Sequence, residues 1–384
     1  MNFFKKCRER GSLNLELALM IGLLVIAAVV SLIFLGGRIS NSFLAAGGSL
    51  PEISLLSLDG ESGDGAGGTG GGGESVIGAT GFGPGGHYTS NSAPEPVDSD
   101  WSFALNTDGA SYTAVSYIGT VTSVSIPYEY NGKPVTKIGK YYQDEGWGEP
   151  INTAITTIYL PDSVKEILGS SFEGSALQTI EFPDSVTTIG EFAFSNCKLI
   201  TSIEFPDSVT NLGSSSFRNC LGLSSVVLSN NLSIINEYTF DHCSALTSID
   251  IPEGITSIDY RAFYMCSSLG KVTLPSTLKT INNEAFRNCD KLTTTLPSNL
   301  TTIGNYAFYY CSAMSFTTLP NTVTTIGDSA FGGCTNLSSV KIPSSVTTIE
   351  TNAFNSTSDL TVNRPIAKTT WTASYLGCTT VTTY

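Results

Sequence analysis

Seven cysteines recur at one fixed place in a repeated sequence unit, and they are the first candidates for chemistry. Each lies three residues after a phenylalanine, and neighbouring members of the set are 22 or 23 residues apart. Thiols in this arrangement could bind a metal or form disulfides, but no histidine joins the set, and parallel Cβ vectors in one column disfavour bridging. Ser175 and Thr357 take the same slot in the outer units, so the position selects a small side chain with weak hydrogen-bonding capacity. We therefore expect a structural column of buried, reduced thiols, with no metal, at Cys197, Cys220, Cys243, Cys266, Cys289, Cys311 and Cys334.

Few other residues in the repeats could support catalysis. One of the two histidines, His242, lies in the repeats, and Asp241 is the only titratable neighbour that the sequence shows beside it. General acid–base catalysis needs a group of matched pKa held against its substrate, so we interpret His242 as a surface residue. The glycine-rich stretch 67–73 lacks the lysine of a phosphate-binding loop. The sequence therefore predicts neither enzymatic activity nor a cofactor.

Charged residues also recur one unit apart on the face opposite the buried positions. Glu181 and Glu204 occupy equivalent places in successive units, and the same column continues to Asp250 and Lys341. Two adjacent carboxylates could bind calcium, but the mixed composition of the column favours a solvated surface. We take Glu181, Glu204, Asp250 and Lys341 as a candidate binding face for an extracellular protein or glycan.

Four Asn-x-Ser/Thr sequences could accept a glycan if the repeats lie outside the cell. Chance also explains them in a chain so rich in serine and threonine. The four asparagines are Asn231, Asn299, Asn336 and Asn355.

The unit that positions all these residues is typified by "CSALTSIDIPEGITSIDYRAFYM", which begins at Cys243. Its first segment places alternate apolar residues on one side, and a proline then ends the strand. A regular period of this length predicts a solenoid, whose coils must stack because one coil cannot bury its own apolar face. We predict a mainly β solenoid of about ten coils of 22–23 residues. The phenylalanines that mark the period are Phe172, Phe194, Phe217, Phe240, Phe263, Phe286, Phe308, Phe331 and Phe354.

The unit "C-x-x-L-x-x-I-x-I-P-x-x-V-x-x-I-G-x-x-A-F" closely resembles the BspA-type leucine-rich repeat of microbial surface proteins. The opening "VSIPYEYNGKPVTKIG" resembles the usual start of such arrays, and the likeness extends over about 112–360. The resemblance implies extracellular binding to host proteins or to other cells. It implies no enzymatic activity.

Residues 1–50 differ from the repeats in charge and hydropathy. Lysine and arginine cluster at 5–10, and the uncharged run Leu17–Leu35 follows. As a helix this run would be about 28 Å long, which is enough to cross the hydrocarbon core of a bilayer. Because basic residues stay on the cytoplasmic side, the sequence predicts an N-terminal transmembrane helix with the acidic remainder of the chain outside the cell.

The same segment resembles a class III signal peptide, the type carried by prepilins, and lies nearest to the archaeal form. A basic leader ends at Gly11, and Glu16 stands five residues later at the start of the apolar run. The resemblance implies cleavage between Gly11 and Ser12 by a prepilin peptidase-like enzyme, with Glu16 then pairing with the Ser12 amine of a neighbouring pilin-like subunit. Ser12 departs from the phenylalanine that bacterial prepilins prefer. An uncleaved signal anchor and a secretory signal cut near Gly47 are the alternatives.

These features divide the chain into five predicted regions. They are a basic leader at 1–11, an apolar pilin-like helix at 12–50, a Gly/Ser-rich flexible linker at 51–100, the solenoid at 101–360 and a C-terminal cap at 361–384. The net charge of −14 argues against a nucleic-acid partner. We predict a cell-surface adhesion protein, a minor or tip subunit of type IV pilin character, that displays the solenoid to an extracellular protein or glycan. A membrane-anchored receptor outside any filament is the alternative.

Overall fold

A computed structural model describes residues 93–140, 149–357 and 359–384. The predicted leader, apolar helix and most of the predicted linker lie outside these residues. Within them, no helix is both long and apolar enough to cross a membrane.

The described chain winds into a β solenoid of about eleven coils, which confirms the predicted fold and adds about one coil to the predicted number. Each regular coil has a first strand, a proline turn, a second strand of two residues and a longer turn that leads to the next coil. Corresponding strands of successive coils pair in parallel, so Ile258 lies beside Ile281 and Ile281 beside Ile303. Residues one repeat apart in sequence are therefore direct neighbours in space.

The strands group into sheets that run along the stack. First strands form β3-β6-β8, β10-β12-β14-β16 and β20-β22-β23; second strands form β5-β7-β9-β11 and β13-β15-β17-β18-β19-β21. The bounds are β1 Trp101–Leu105, β2 Tyr112–Tyr117, β3 Ser123–Ser125, β4 Glu129–Tyr130, β5 Lys133–Ile138, β6 Thr157–Tyr159, β7 Glu166–Ile167, β8 Thr179–Ile180, β9 Thr188–Ile189, β10 Ser202–Glu204, β11 Asn211–Leu212, β12 Ser225–Val227, β13 Ile234–Ile235, β14 Ser248–Asp250, β15 Ser257–Ile258, β16 Lys271–Thr273, β17 Thr280–Ile281, β18 Thr302–Ile303, β19 Thr325–Ile326, β20 Ser339–Lys341, β21 Thr348–Ile349, β22 Thr361–Arg364 and β23 Thr380–Thr383.

A column of phenylalanines fills the centre of the stack. All nine, from Phe172 to Phe354, are fully buried, and neighbouring rings stack with centroids 5.1–6.0 Å apart. Isoleucine, leucine and valine from both strands of each coil surround them. Because each ring packs on the rings of the coils before and after it, the coils stabilise one another rather than themselves.

The long turn of each coil has an unusual backbone. Two of its residues, such as Arg261 and Met265, have φ values of 55° and 56°, in the left-handed region that most L-residues avoid. Their amides point to the next coil: the Arg261 amide donates to the Asn283 carbonyl at 3.1 Å, and the Met265 amide to the Arg287 carbonyl at 2.9 Å. Hydrogen bonds between coils thus offset the local strain of these left-handed residues. We call the surface formed by these turns the turn face.

Irregular segments cover both ends of the array. At one end β1 pairs antiparallel with β2, which joins β5, and β4 forms an antiparallel pair with β5. At the other end β22, the short helix α1 (Ala373–Leu376) and β23 pack on the last regular coil. A 3-10 turn, Asp98–Asp100, lies in the final part of the predicted linker.

Candidate binding surface

The turn face brings together aromatic and basic side chains from successive coils. They lie two, three or six residues after the end of the second strand of a coil. Because the coils stack, residues more than 20 apart in sequence become neighbours on this face. We call this set the Tyr–Arg ladder. It consists of Arg218, Tyr238, Tyr260, Arg261, Tyr264, Arg287, Tyr306 and Tyr309.

Guanidinium groups alternate with phenol rings along the ladder. The Arg261 guanidinium carbon lies 4.7 Å from the ring centroid of Tyr264 and 5.1 Å from that of Tyr260. Arg287 lies 5.4 Å from the Tyr306 ring and 5.2 Å from the Tyr309 ring. These distances are within the range of cation–π attraction, which fixes the orientation of both partners. The ladder is therefore a preorganised surface.

One carboxylate holds two of the arginines in place. Glu284 Oε2 lies 3.0 Å from Arg261 Nη2 and 3.1 Å from Arg287 Nη1, and the glutamate side chain is only 13% exposed. The Tyr260 hydroxyl donates to the other carboxylate oxygen at 3.4 Å. Sharing one acid between two arginines leaves positive charge available to a ligand.

A second acid anchors the other end of the ladder. Asp241 is buried, and its oxygens lie 3.0 Å from Arg218 Nε and 2.5 Å from His242 Nδ1. Burial raises the pKa of Asp241, while His242 and Arg218 act in the opposite direction. His242 is thus partly exposed and tied to an acid that also binds an arginine. This arrangement fixes the orientations of the His242 and Arg218 side chains.

The composition of the ladder is that of a contact surface. Tyrosine and arginine are enriched at the energetic centres of interfaces, because they bury large areas and keep polar groups at their tips. Three of the four arginines in the described residues belong to the ladder. Met265 and Tyr310 beside it are 37% and 47% exposed, which extends the apolar area.

The predicted cysteine column lies on the inner side of the same turns. All seven cysteines are buried and unbridged. Each thiol donates to the carbonyl of the phenylalanine one coil earlier, as Cys266 does to Phe240 at 3.1 Å, and Thr357 fills the slot with a hydroxyl aimed at Phe331. Burial raises the pKa of Cys197 to about 11 and that of Cys334 to about 12. The slot requires a small donor, and the thiols are held in their protonated form.

The four residues of the predicted binding face lie on the side of the sheets formed by first strands, away from the turn face. Glu181, Glu204, Asp250 and Lys341 are all exposed there. Asp250 accepts a hydrogen bond from the Thr273 hydroxyl at 2.5 Å, and Lys341 Nζ lies 4.1 Å from the Tyr384 ring centroid. Strand pairing does not join Glu181 to Glu204, since β8 and β10 belong to different sheets. No group of three or more metal-ligating side chains occurs in the described residues.

The predicted glycosylation residues differ in accessibility. Asn231, Asn299 and Asn336 are exposed, whereas Asn355 is half-buried. The amides of Asn231 and Asn299 already donate to carbonyls of the preceding coil, at 2.7 Å and 2.8 Å. Gly11, Ser12 and Glu16 lie outside the described residues.

The ladder was not predicted from the sequence. Its members occupy variable positions of the unit, so no single column repeats the same residue type. The available signal was compositional: arginine and tyrosine concentrate at 218–310 in repeats otherwise dominated by serine and threonine.

Comparisons with known proteins identify the repeats. The family model "BspA type Leucine rich repeat region" matches residues 151–269 and 233–361. A leucine-rich repeat protein from Bacteroides ovatus is 21% identical, with 74% of this chain and 98% of that chain covered and a TM-score of 0.39. A leucine rich cell surface protein from Faecalibacterium prausnitzii is 23% identical, with 77% and 96% covered and a TM-score of 0.42.

A third solved structure, the pneumococcal vaccine antigen PcpA, is 17% identical, with 75% of this chain and 98% of that chain covered and a TM-score of 0.41. No curated protein matches the sequence. The family model alone covers more than half of the chain, and its span coincides with the regular coils described above. This protein belongs to the BspA-type leucine-rich repeat family.

Proposed function

We propose that this protein is a cell-surface binding protein that adheres to an extracellular protein or glycan through the Tyr–Arg ladder. The observation that supports this proposal is the ladder itself, in which fixed, half-buried arginines and tyrosines from successive coils form one continuous surface. Repeat solenoids commonly use such extended surfaces for binding. The named Faecalibacterium neighbour is a cell surface protein, which accords with this role.

We further propose that the chain is a type IV pilin-like subunit, minor or at the tip. The basic leader, Gly11 and Glu16 support this part of the proposal. A prepilin peptidase-like enzyme would cut before Ser12, and the apolar helix would remain in the membrane or pack against other pilin-like subunits. The alternative is a membrane-anchored receptor with an uncleaved signal anchor.

The binding role is tested with beads coated with the full chain and washed over immobilised mucin, which presents both polypeptide and glycan. Tyr264→Ser combined with Tyr309→Ser removes two tyrosine rings of the ladder but keeps the ion pairs between Glu284 and the arginines. We expect bead retention to fall about tenfold or more, because interface tyrosines often contribute about 2 kcal/mol each. Thermal unfolding shows whether this double variant and its control are folded.

The matched control removes two tyrosines outside the ladder, with Tyr128→Ser combined with Tyr159→Ser. Retention of these beads should equal that of the unsubstituted chain. Equal retention of the ladder variant, or no retention of the unsubstituted chain above that of uncoated beads, would contradict the proposed role of the ladder.

A further inference from the structure

An open groove of about 670 Å³ runs along the turn face beside the ladder. Its volume is that of an ordinary small-molecule site, and its lining is polar and aromatic. Tyr260 and Tyr306 contribute to it from coils two repeats apart; Asn283 comes from the coil between them, and Asn305 precedes Tyr306 in the same coil. The groove follows the direction in which the coils stack.

Two asparagines in the groove have their amides fixed by the backbone of the following coil. Asn283 Oδ1 accepts the amide of Asn305 at 2.8 Å, and Asn305 Oδ1 accepts the amide of Asp328 at 2.9 Å. With its oxygen fixed, each side chain presents its NH₂ group in a set orientation, as a donor to an acceptor in the groove. The two donors repeat at the spacing of one coil, about 4.8 Å.

Glycines make this arrangement sterically possible. A Cβ at Gly304 would lie 2.6 Å from both the backbone nitrogen and Oδ1 of Asn283, so a larger residue would displace the asparagine. Gly327 stands in the same relation to Asn305. Gly190 and Gly213 take the equivalent position in earlier coils, but they approach Gly169 and Glu191 rather than asparagines. The pair of oriented amides is therefore a local feature of these coils and not a property of every repeat.

Two of the three acidic residues that line the groove, Asp259 and Glu284, already have hydrogen-bond or ion-pair partners. Asp259 Oδ1 accepts hydrogen bonds at 2.6 Å from both the Ser257 hydroxyl and the Asn282 amide. Glu284 forms its ion pairs with two ladder arginines. The third acidic residue, Glu237, is exposed, so the groove offers fixed amide donors and acceptors with a modest negative charge. Hydroxyl groups, which both donate and accept, match such a lining, whereas a strongly anionic ligand does not.

We propose that this groove binds a neutral, extended oligosaccharide, with about one sugar ring for each coil. Asn283 and Asn305 would donate to ring hydroxyls, and the half-buried Tyr260 and Tyr306 would offer the exposed parts of their ring faces to the apolar C–H faces of the sugars. This deepens the proposed surface-binding function and rests on it only for the groove's access to the cell exterior. A polypeptide partner in the groove is the competing occupant.

The test is calorimetric titration of the purified full chain with cellohexaose and chitohexaose, and with the anionic hexamer of galacturonic acid. Asn283→Asp combined with Asn305→Asp keeps both Oδ1 acceptors but replaces both NH₂ donors. We expect a neutral hexamer to bind, the anionic hexamer to bind at least about tenfold more weakly, and the double variant to lose about tenfold in affinity, as expected for two hydrogen bonds.

The matched control is Asn211→Asp combined with Asn321→Asp, which adds the same charge at exposed asparagines outside the groove. It should bind as the unsubstituted chain does, and unchanged thermal midpoints should accompany all variants. Failure of both neutral hexamers to bind, or unchanged affinity in the groove variant, would overturn the inference. Mucin retention that depends on the ladder would still stand in that event, so the two proposals fail separately.

Discussion

The thiols of the cysteine column act as hydrogen-bond donors between coils. From Phe194 to Phe308, each phenylalanine carbonyl accepts the amide of the cysteine in its own coil and the thiol of the cysteine in the next, as Phe263 does from Cys266 and Cys289. The thiol thus occupies the second acceptor site of a buried carbonyl, and the packed interior leaves room only for a small donor there. At the ends of the column, the Thr357 hydroxyl donates to the Phe331 carbonyl, and the Ser175 hydroxyl pairs with the Cys197 thiol at 3.2 Å.

Alkaline pH should destabilise the fold through these thiols. In the unfolded chain a thiol has a pKa near 8.5, whereas burial raises the pKa of Cys243 well above its ordinary value. Above about pH 8.5 the unfolded state binds fewer protons than the folded state, so the free energy of unfolding falls with rising pH, by about 1.4 kcal/mol per unit for each thiol. Cys243→Ser should reduce this slope by that amount in urea titrations between pH 8 and 10.

Thr357→Ser is the matched control, because it alters the same slot without removing a thiol. Its slope should equal that of the unsubstituted chain. Between pH 6 and 7.5 no slope from the thiols is expected, since both states keep their protons. Identical alkaline slopes for Cys243→Ser and the unsubstituted chain would show that the column does not control alkaline stability.

At the scale of elements, the turn explains why the fold was predictable and the ladder was not. The period of phenylalanine, proline and cysteine gives the stacking order directly, because equivalent residues must become neighbours in a solenoid. The sequence gives no sign that Arg261 and Tyr306 have left-handed backbones, since glycine and asparagine usually mark that conformation. Bonds between coils impose it, and it determines which variable side chains meet.

The C-terminal segment 361–384 acts as an element that closes the stack. β22 continues the sheet of β20, and β23 covers β22. The Phe354 amide donates to the Leu376 carbonyl at 2.9 Å, and the Tyr375 hydroxyl donates to the Ile349 carbonyl at 2.9 Å. Without this segment, β20 would be an open parallel edge beside an exposed core.

Truncation after Leu360 should therefore cause self-association. An open edge strand pairs with other chains, so we expect oligomers in sedimentation experiments and a lower thermal midpoint. Replacing Ser339 by lysine within the truncated chain should restore the monomer, because a charge on the edge opposes pairing, while the midpoint stays low. A truncated chain that remains monomeric with an unchanged midpoint would argue against this role of the cap.

At the scale of the whole molecule, the sequence combines a basic leader, an apolar run and an acidic solenoid. The family match and the stacked coils establish the repeat architecture. The role of Glu16 depends instead on whether cleavage exposes a new amine at Ser12. An ordinary anchor would tolerate Glu16 at the membrane interface at small cost. A buried filament contact would need the cationic amine of a neighbour, because an unpaired carboxylate in a low dielectric is strongly unfavourable.

The position of the mature N-terminus distinguishes an uncleaved membrane anchor from a processed, pilin-like subunit. We expect intact-mass measurement on the chain from native membranes, and on filaments sheared from the cell surface, to give a start at Ser12 in both fractions. Cleavage creates an α-amine that is largely cationic at neutral pH, with an ordinary pKa of about 7.7–8.0, and this cation can pair with Glu16 in an assembled filament. A start at Met1 confined to membranes would identify an uncleaved anchor, and a start near Gly47 a secretory signal. Ser12 chains found only in membranes would show processing without assembly, and would leave Glu16 without the proposed partner.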